Sequence, residues 1–263
     1  MSCTLFNITA GGTTLVGYNF DWFSGGGKIW FIPPKGDDHG YFITTRFGRK
    51  FPYEGMNDRG LYVCQTAVPV IKSSISFRKK WAISTNIIIR ILERCATLAE
   101  ALSLFNAHSV IFGTALGFVM AHFMVVEPSG KSAVIEVLPG GNRVYPKKGP
   151  YQVITNFYLS DPSIQWPNFV PGCGGYDRFD TVESRLDNAA EISPSLLHGI
   201  LEAAAMNDWR YDGRTWNTVF SNVHDLNRRE ISIVYGKKYG KARHFLLDAE
   251  LAKGIHHYDA VGF

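Results

Sequence analysis

The order in which two hydrophobic periods occur along the chain restricts its fold more than any other feature. Short alternating runs bounded by Gly, Pro and Asp fill most of the length, and the 3.6-residue period appears in only two blocks. Residues 3–9 and 13–19 read as two strands joined at Gly11-Gly12, a hairpin at the start of the chain. Further strands are predicted over 29–33, 41–45 and 61–68, then over 117–127, 132–138 and 151–156, with Pro128-Ser129-Gly130 as a turn, and again between 217 and 247. The first helical block starts at Ser84-Thr85, where Ile87, Ile88, Ile91, Leu92 and Cys95 share one face. Thr97 and Glu100 have capping-box spacing, so a second helix should begin there and complete a pair over 84–107. The other block holds an amphipathic stretch at 176–186 and a Ser193-Pro194 helix start. The order β, α, β, α, β lacks the one-to-one alternation of a doubly wound parallel sheet. It predicts a layered α+β fold, with antiparallel sheets face to face and helices outside, formed by residues 1–263 as one domain.

Composition narrows the function. With 46% hydrophobic and 19% charged residues in 263, a sizeable core forms and disorder is excluded as the main state. Lys plus Arg exceeds Asp plus Glu by 27 to 23, a net +4 without a long basic run, which gives little support to nucleic acid or a membrane surface as partner. Cys3, Cys64, Cys95 and Cys173 form no CxxC pair, so neither a zinc ribbon nor a dense disulfide framework is expected. Residues 1–20 lack the pattern of a secretory signal, and no run of 18 apolar residues is uninterrupted. A soluble cytoplasmic protein is the expectation.

Candidate chemistry begins at Cys3. If it became the first residue it would carry a thiol, ordinarily near pKa ~8.5, and an α-amine, ordinarily near ~7.7–8.0, and the amine could take the thiol proton and return it to a leaving group. Position alone equally fits a small apolar residue in an edge strand. The hairpin brings Asp21 back beside Cys3, where a carboxylate would hold an ammonium; a turn or cap role for Asp21 is an even alternative.

Several segments then resemble, in order, the N-terminal-nucleophile cysteine amidases, the superfamily of choloylglycine hydrolases and penicillin V acylases with its acyltransferase and acid-ceramidase relatives. Cys3-Thr4 followed by Gly17-Tyr18-Asn19-Phe20-Asp21-Trp22 is similar to the family's Cys-Thr and Gly-Arg-Asn-x-Asp-Trp elements. Met56-Asn57-Asp58-Arg59-Gly60-Leu61 resembles Asn-Glu-x-Gly-Leu, Val134-Ile135-Glu136 resembles the strand before Leu-Thr-Asn, here Ile154-Thr155-Asn156, and Asp177-Arg178-Phe179 resembles Ser-Arg-Phe.

The resemblance implies a four-layer αββα sandwich and a hydrolase of linear, non-peptide amide bonds that works through a thioester on Cys3. It implies that Asp21 contacts the α-amine, that Asn156 donates to the oxyanion and that Arg178 supports the charge network. Ala67 falls where bile-salt-cleaving relatives have asparagine, leaving only its backbone N–H for the oxyanion. Tyr18, Trp22, Phe23 and Tyr62 are the candidate substrate-binding residues, suited to a hydrophobic or aromatic acyl group; Trp30 is a further aromatic residue near these segments. The implied partner is a small-molecule N-acyl amide, with no cofactor or metal, and a homo-oligomer is left open.

Three departures stand out: Tyr18 replaces the family arginine, Ala67 replaces asparagine, and 21 residues separate Asn156 from Arg178, fewer than in relatives whose extra loop assembles tetramers. Met1 and Ser2 must both be removed to free Cys3, and the resemblance implies a route, attack of the thiol on the preceding carbonyl, while leaving open whether removal here is autocatalytic. Competing readings are an acyltransferase using the same thioester, a non-catalytic binding homologue, and a Cys–His enzyme pairing Cys64 or Cys173 with His122 or His224. A metal site is least favoured, because only His256-His257 are close together among eight histidines.

Overall fold

The computed structural model describes residues 2–23, 25–46, 48–71, 80–111, 120–138, 141–164, 166, 174–211 and 213–260. Cys173 and the first three residues of the strand expected over 117–127 lie outside them. The first third of the chain gives β1 (Ser2–Ala10), β2 (Thr13–Trp22), β3 (Lys28–Ile32), β4 (Tyr41–Thr45), β5 (Pro52–Asn57) and β6 (Tyr62–Val68). Next come β7 (Lys80–Ile83), α1 (Ser84–Arg94), α2 (Leu98–Ala107) and β8 (His108–Ile111). They are followed by β9 (Met120–Val126), β10 (Ser132–Leu138), β11 (Gly141–Pro146) and β12 (Tyr151–Ile154). The remainder gives α3 (Tyr176–Asp187), α4 (Pro194–Ala203), β13 (Trp209–Tyr211), β14 (Arg214–Asp225), β15 (Glu230–Tyr235), β16 (Arg243–Leu246), α5 (Leu247–Leu251) and β17 (His256–Asp259).

Two antiparallel sheets stack face to face. One has the order β12-β1-β2-β14-β15-β16 with β13 added to β14, and the other β11-β10-β9-β6-β5-β4-β3-β17. Strand alternation divides the side chains between layers. Cys3, Leu5, Tyr18, Phe20, Met56, Tyr62, Cys64, Met124 and Val134 fill the space between the sheets. Phe6, Ile8, Leu15 and Val153 point out of the first sheet onto Val182, Leu186, Leu197 and Ile200 of α3 and α4. Ile43, Val63, Phe123 and Ile135 point out of the second sheet onto Ile87, Ile88, Ile91 and Phe105 of α1 and α2. The result is the four-layer αββα sandwich.

Local signals explain several boundaries. Thr97 accepts the Glu100 N–H at 3.3 Å while the Glu100 carboxylate accepts the Thr97 N–H at 3.1 Å, completing the capping box. Ser193 accepts from the Leu196 N–H ahead of Pro194, as its position implied. Asn57 explains the turn before Leu61: its Oδ1 accepts from the N–H groups of Arg59 and Leu61, and its Nδ2 donates to the Leu92 and Cys95 carbonyls at the end of α1.

The structure also differs from the sequence reading. β5 contains Pro, Glu, Gly and Asn, all poor strand formers, yet it lies buried between β4 and β6. A Cβ on Gly55 would come within 2.4 Å of the Phe42 carbonyl oxygen, so the glycine permits that close strand approach. β7 and β8 form a separate parallel pair bridged by α1 and α2. The strand expected over 151–156 ends at Ile154, and beyond it Thr155 Oγ1 donates to the Gly174 carbonyl and Asn156 Nδ2 to the Ala67 carbonyl.

Candidate active site

The hairpin register places Cys3 opposite Phe20 and Ser2 opposite Asp21. Cys3, Tyr18, Phe20 and Trp22 lie on the inter-sheet face, whereas Thr4, Asn19 and Asp21 face the helices. The Cys3 main chain therefore lies between two differently furnished spaces, its thiol in one and a buried ion pair next to the other.

Four groups from distant parts of the chain meet there. The Cys3 N–H donates to Asn156 Oδ1 at 3.0 Å, and Arg178 Nη2 donates to the same oxygen at 2.9 Å. Arg178 Nη1 donates to the Cys3 carbonyl and to Thr4 Oγ1, each at 2.8 Å, and lies 3.3 Å from Asp21 Oδ2. Thr218 Oγ1 donates to the other Asp21 oxygen at 2.6 Å. Cys3, Asp21 and Asn156 are wholly buried and Arg178 nearly so. The site thus brings together all four sequence-predicted catalytic residues. Ala67 joins them through its carbonyl, which accepts from Asn156 Nδ2 at 2.8 Å.

The charges follow from burial. Desolvation pushes the Asp21 carboxyl up from 3.8 to about 6, opposed by the Arg178 guanidinium and the Thr218 hydroxyl. Desolvation, with the Asp21 charge adding to it, pushes the Cys3 thiol up from 9.0 to about 12, opposed by hydrogen bonds from the Tyr18 hydroxyl and the Asp21 N–H. With a peptide bond on its nitrogen, Cys3 is a neutral thiol at physiological pH.

The candidate substrate residues separate. Tyr18 Oη lies 3.5 Å from Cys3 Sγ. Trp22 and Phe23 stack with centroids 4.9 Å apart, and both meet Trp216 edge-on at 5.4 Å, with the Arg214 guanidinium 4.4 Å over Phe23. Tyr62 is fully buried in the inter-sheet core that also holds Tyr18, with its hydroxyl donating to Glu54 Oε2 at 2.5 Å. Trp30 packs on His257 at 4.3 Å and is remote from this cluster.

Sequence reasoning missed Thr218, Trp216 and the support of Asn156. A bulge between Thr218 and Phe220 of β14 sets Thr218 opposite Asp21, and nothing local in the sequence announces that register. Across β6, β9 and β10, Thr66, His122 and Glu136 are paired neighbours in one row. Thr66 Oγ1 at 2.6 Å and His122 Nε2 at 2.9 Å both bind the Thr155 carbonyl, and Glu136 accepts the N–H groups of Leu159 at 2.5 Å and Ser160 at 3.2 Å. His224 Nε2 instead meets Glu54 Oε2 at 3.0 Å, so both histidines considered for a Cys–His pair direct Nε2 to oxygen. Cys3, Cys64 and Cys95 are free thiols. Among the described residues no cluster of three His, Cys, Asp or Glu side chains is arranged for a metal, and no helix is long and apolar enough to cross a membrane.

A family model described as acyl-coenzyme A:6-aminopenicillanic acid acyl-transferase matches residues 10–239. The chain belongs to this family. The match begins after Cys3, so it rests on the scaffold around the thiol. No curated protein matches the sequence. Among solved structures, a mutant of conjugated bile acid hydrolase from Clostridium perfringens superposes with a TM-score of 0.78 at 18% identity, covering 98% of this chain and 96% of that one. Penicillin V acylase from Agrobacterium tumefaciens gives 0.67 at 16% identity, covering 89% and 83%. The Caenorhabditis elegans ortholog of N-acylethanolamine-hydrolyzing acid amidase gives 0.57 at 16% identity, covering 85% and 93%. The chain shares the fold of these proteins, the N-terminal-nucleophile hydrolase fold.

Proposed function

We propose that the chain is an amidase that cleaves a linear carbon–nitrogen amide bond of a small N-acyl compound through a thioester on Cys3. The observation that carries this reading is where the buried groups converge. Asn156, Arg178 and, across the hairpin, Asp21 surround the main-chain nitrogen and carbonyl of Cys3. A carboxamide on its peptide nitrogen and a buried ion pair on its carbonyl side support a residue whose α-amine is a catalytic base over a cysteine that only packs.

On this reading the thiol first attacks the Ser2 carbonyl, the Ser2–Cys3 C–N bond breaks as its nitrogen takes up the thiol proton, and water hydrolyses the resulting thioester to release Met1-Ser2 as a free acid. The freed amine then takes the thiol proton as the sulfur bonds to the substrate carbonyl carbon. Asn156 Nδ2, held in place by its bond to the Ala67 carbonyl, serves as the oxyanion donor, where a preorganised donor is worth about 3 kcal/mol. The α-ammonium passes its proton to the leaving nitrogen as the C–N bond breaks, and water, activated by the amine, resolves the thioester. The Trp22, Phe23 and Trp216 cluster suits an apolar or aromatic acyl group. The family's own description favours a second outcome at the same thioester, transfer to an amine in place of water.

The deciding experiment is the intact mass of the purified protein before and after iodoacetamide, followed by a panel of penicillin V, conjugated bile salts, N-acyl homoserine lactones and N-acyl amino acids. We expect a chain lacking Met1 and Ser2, preferential labelling of Cys3, turnover of an amide with an apolar acyl group, and no turnover by Cys3→Ala. Retention of Ser2 with no preference for Cys3 would overturn the reading. Ping-pong kinetics with added amine would assign acyl transfer.

A further inference from the structure

Tyr18 is the fully buried phenol on the same strand face as the thiol. It pairs with Leu5, two residues from Cys3, so the ring is a diagonal neighbour of Cys3 and its hydroxyl reaches to 3.5 Å from Sγ. The ring lies in the inter-sheet core with its oxygen directed at the reacting atom. This is a different placement from that of a residue lining an acyl pocket with Trp22 and Phe23.

We propose that Tyr18 is a catalytic residue whose O–H holds the negative charge of the Cys3 thiolate. The inference rests on the reading of Cys3 as nucleophile and adds to it a group that stabilises the charge.

The surroundings fit a donor that keeps its proton. Burial and the neighbouring Cys3, Glu54 and Cys64 all push the Tyr18 phenol well above its ordinary value of 10.0, so it neither ionises nor acts as a base. The Tyr18 hydroxyl and the Asp21 N–H are the two hydrogen bonds that draw the Cys3 thiol down against burial and the Asp21 charge. During turnover the thiol proton goes to the α-amine, Tyr18 donates to the sulfur anion, and the hydrogen bond weakens as the C–S bond forms. It is restored when water breaks that bond and thiolate returns. Tyr18 gains and loses no proton. Because a phenol is neutral, it stabilises the anion without placing a fixed positive charge beside the substrate carbonyl.

The test follows alkylation of Cys3 by iodoacetamide from about pH 6 to about pH 10 by peptide mass spectrometry, with every chain made to begin at Cys3. Tyr18→Phe should move the titration midpoint of Cys3 up by about one pH unit and slow labelling near neutrality about tenfold. On a substrate found in the panel, kcat should fall with KM little changed. Site-specific 3,5-difluorotyrosine at position 18, a more acidic donor of nearly the same shape, should move the midpoint down, and it decides the matter if Tyr18→Phe fails to fold. Superimposable midpoints for wild type and Tyr18→Phe, or no shift with difluorotyrosine, would overturn the role of Tyr18 and leave the nucleophile reading standing. If wild-type Cys3 reacts no faster than Cys64, both fall together.

Discussion

The carboxyl of Asp21 lies under opposing pulls, burial raising it to about 6 and Arg178 and Thr218 drawing it down. Its folded value is above the unfolded one, so between about pH 4 and about pH 6 the folded chain keeps a proton that the unfolded chain has released. Its contribution to stability is therefore full below about pH 4 and is lost as pH rises through about 6. In Cys3→Ala, which should retain Met1 and Ser2, thermal midpoints across this range should carry that downward slope, and Asp21→Asn should flatten it. An unchanged slope would mean that Asp21 titrates no differently from a solvated carboxyl. At this scale Cys3, Asp21, Asn156 and Arg178 were legible in the sequence, because each lies in a short motif in family order. Thr218 was not, since it reaches Asp21 from 197 residues away through a bulged register.

Among the elements, the row of Thr66, His122 and Glu136 carries the end of β12 and the turn beyond it, so strands of the second sheet position Asn156 against Cys3 on the first. Thr66→Val keeps the shape and removes the hydroxyl. It should lower kcat about tenfold and hasten hydrogen exchange at Leu159 and Ser160, and Thr66→Ser should restore both. Equal behaviour of the valine and serine variants would show that only the volume at this position matters. The hairpins and helix starts were readable because their signals are local: glycines at the first turn, a capping box at Thr97, Ser193 before Pro194. β5 was not readable. What makes it a strand is the neighbours on both edges, with Gly55 admitting a carbonyl and Glu54 held by Thr44, Tyr62, Asn222 and His224.

Over the whole molecule, the site draws on residues from Cys3 to Thr218 and on both sheets, and such long-range contacts form late in folding. Release of the chain ahead of Cys3 should therefore follow completion of the fold. After dilution from denaturant, native tryptophan fluorescence should return first, and the loss of two residues measured by quenched mass spectrometry should lag behind it. Mass loss in a chain still unfolded by fluorescence would contradict a site assembled by the sandwich. The layered architecture was evident from the order of hydrophobic periods, but the pairing order within each sheet was not, because alternation states which face a residue occupies and not which strand lies beside it.

The Asn156 carboxamide has its oxygen fixed by Cys3 and Arg178 and its nitrogen fixed by the Ala67 carbonyl. A peptide N–H and a primary amine both offer a hydrogen to that oxygen. If the bond to Ser2 is cut as proposed, the scaffold that holds the intact chain is the mould for the cleaved one, and the nitrogen needs no new partner. With one hydrogen held by Asn156, the lone pair of such an amine would have its direction set in advance, so the proposed cleavage would both create the base and aim it.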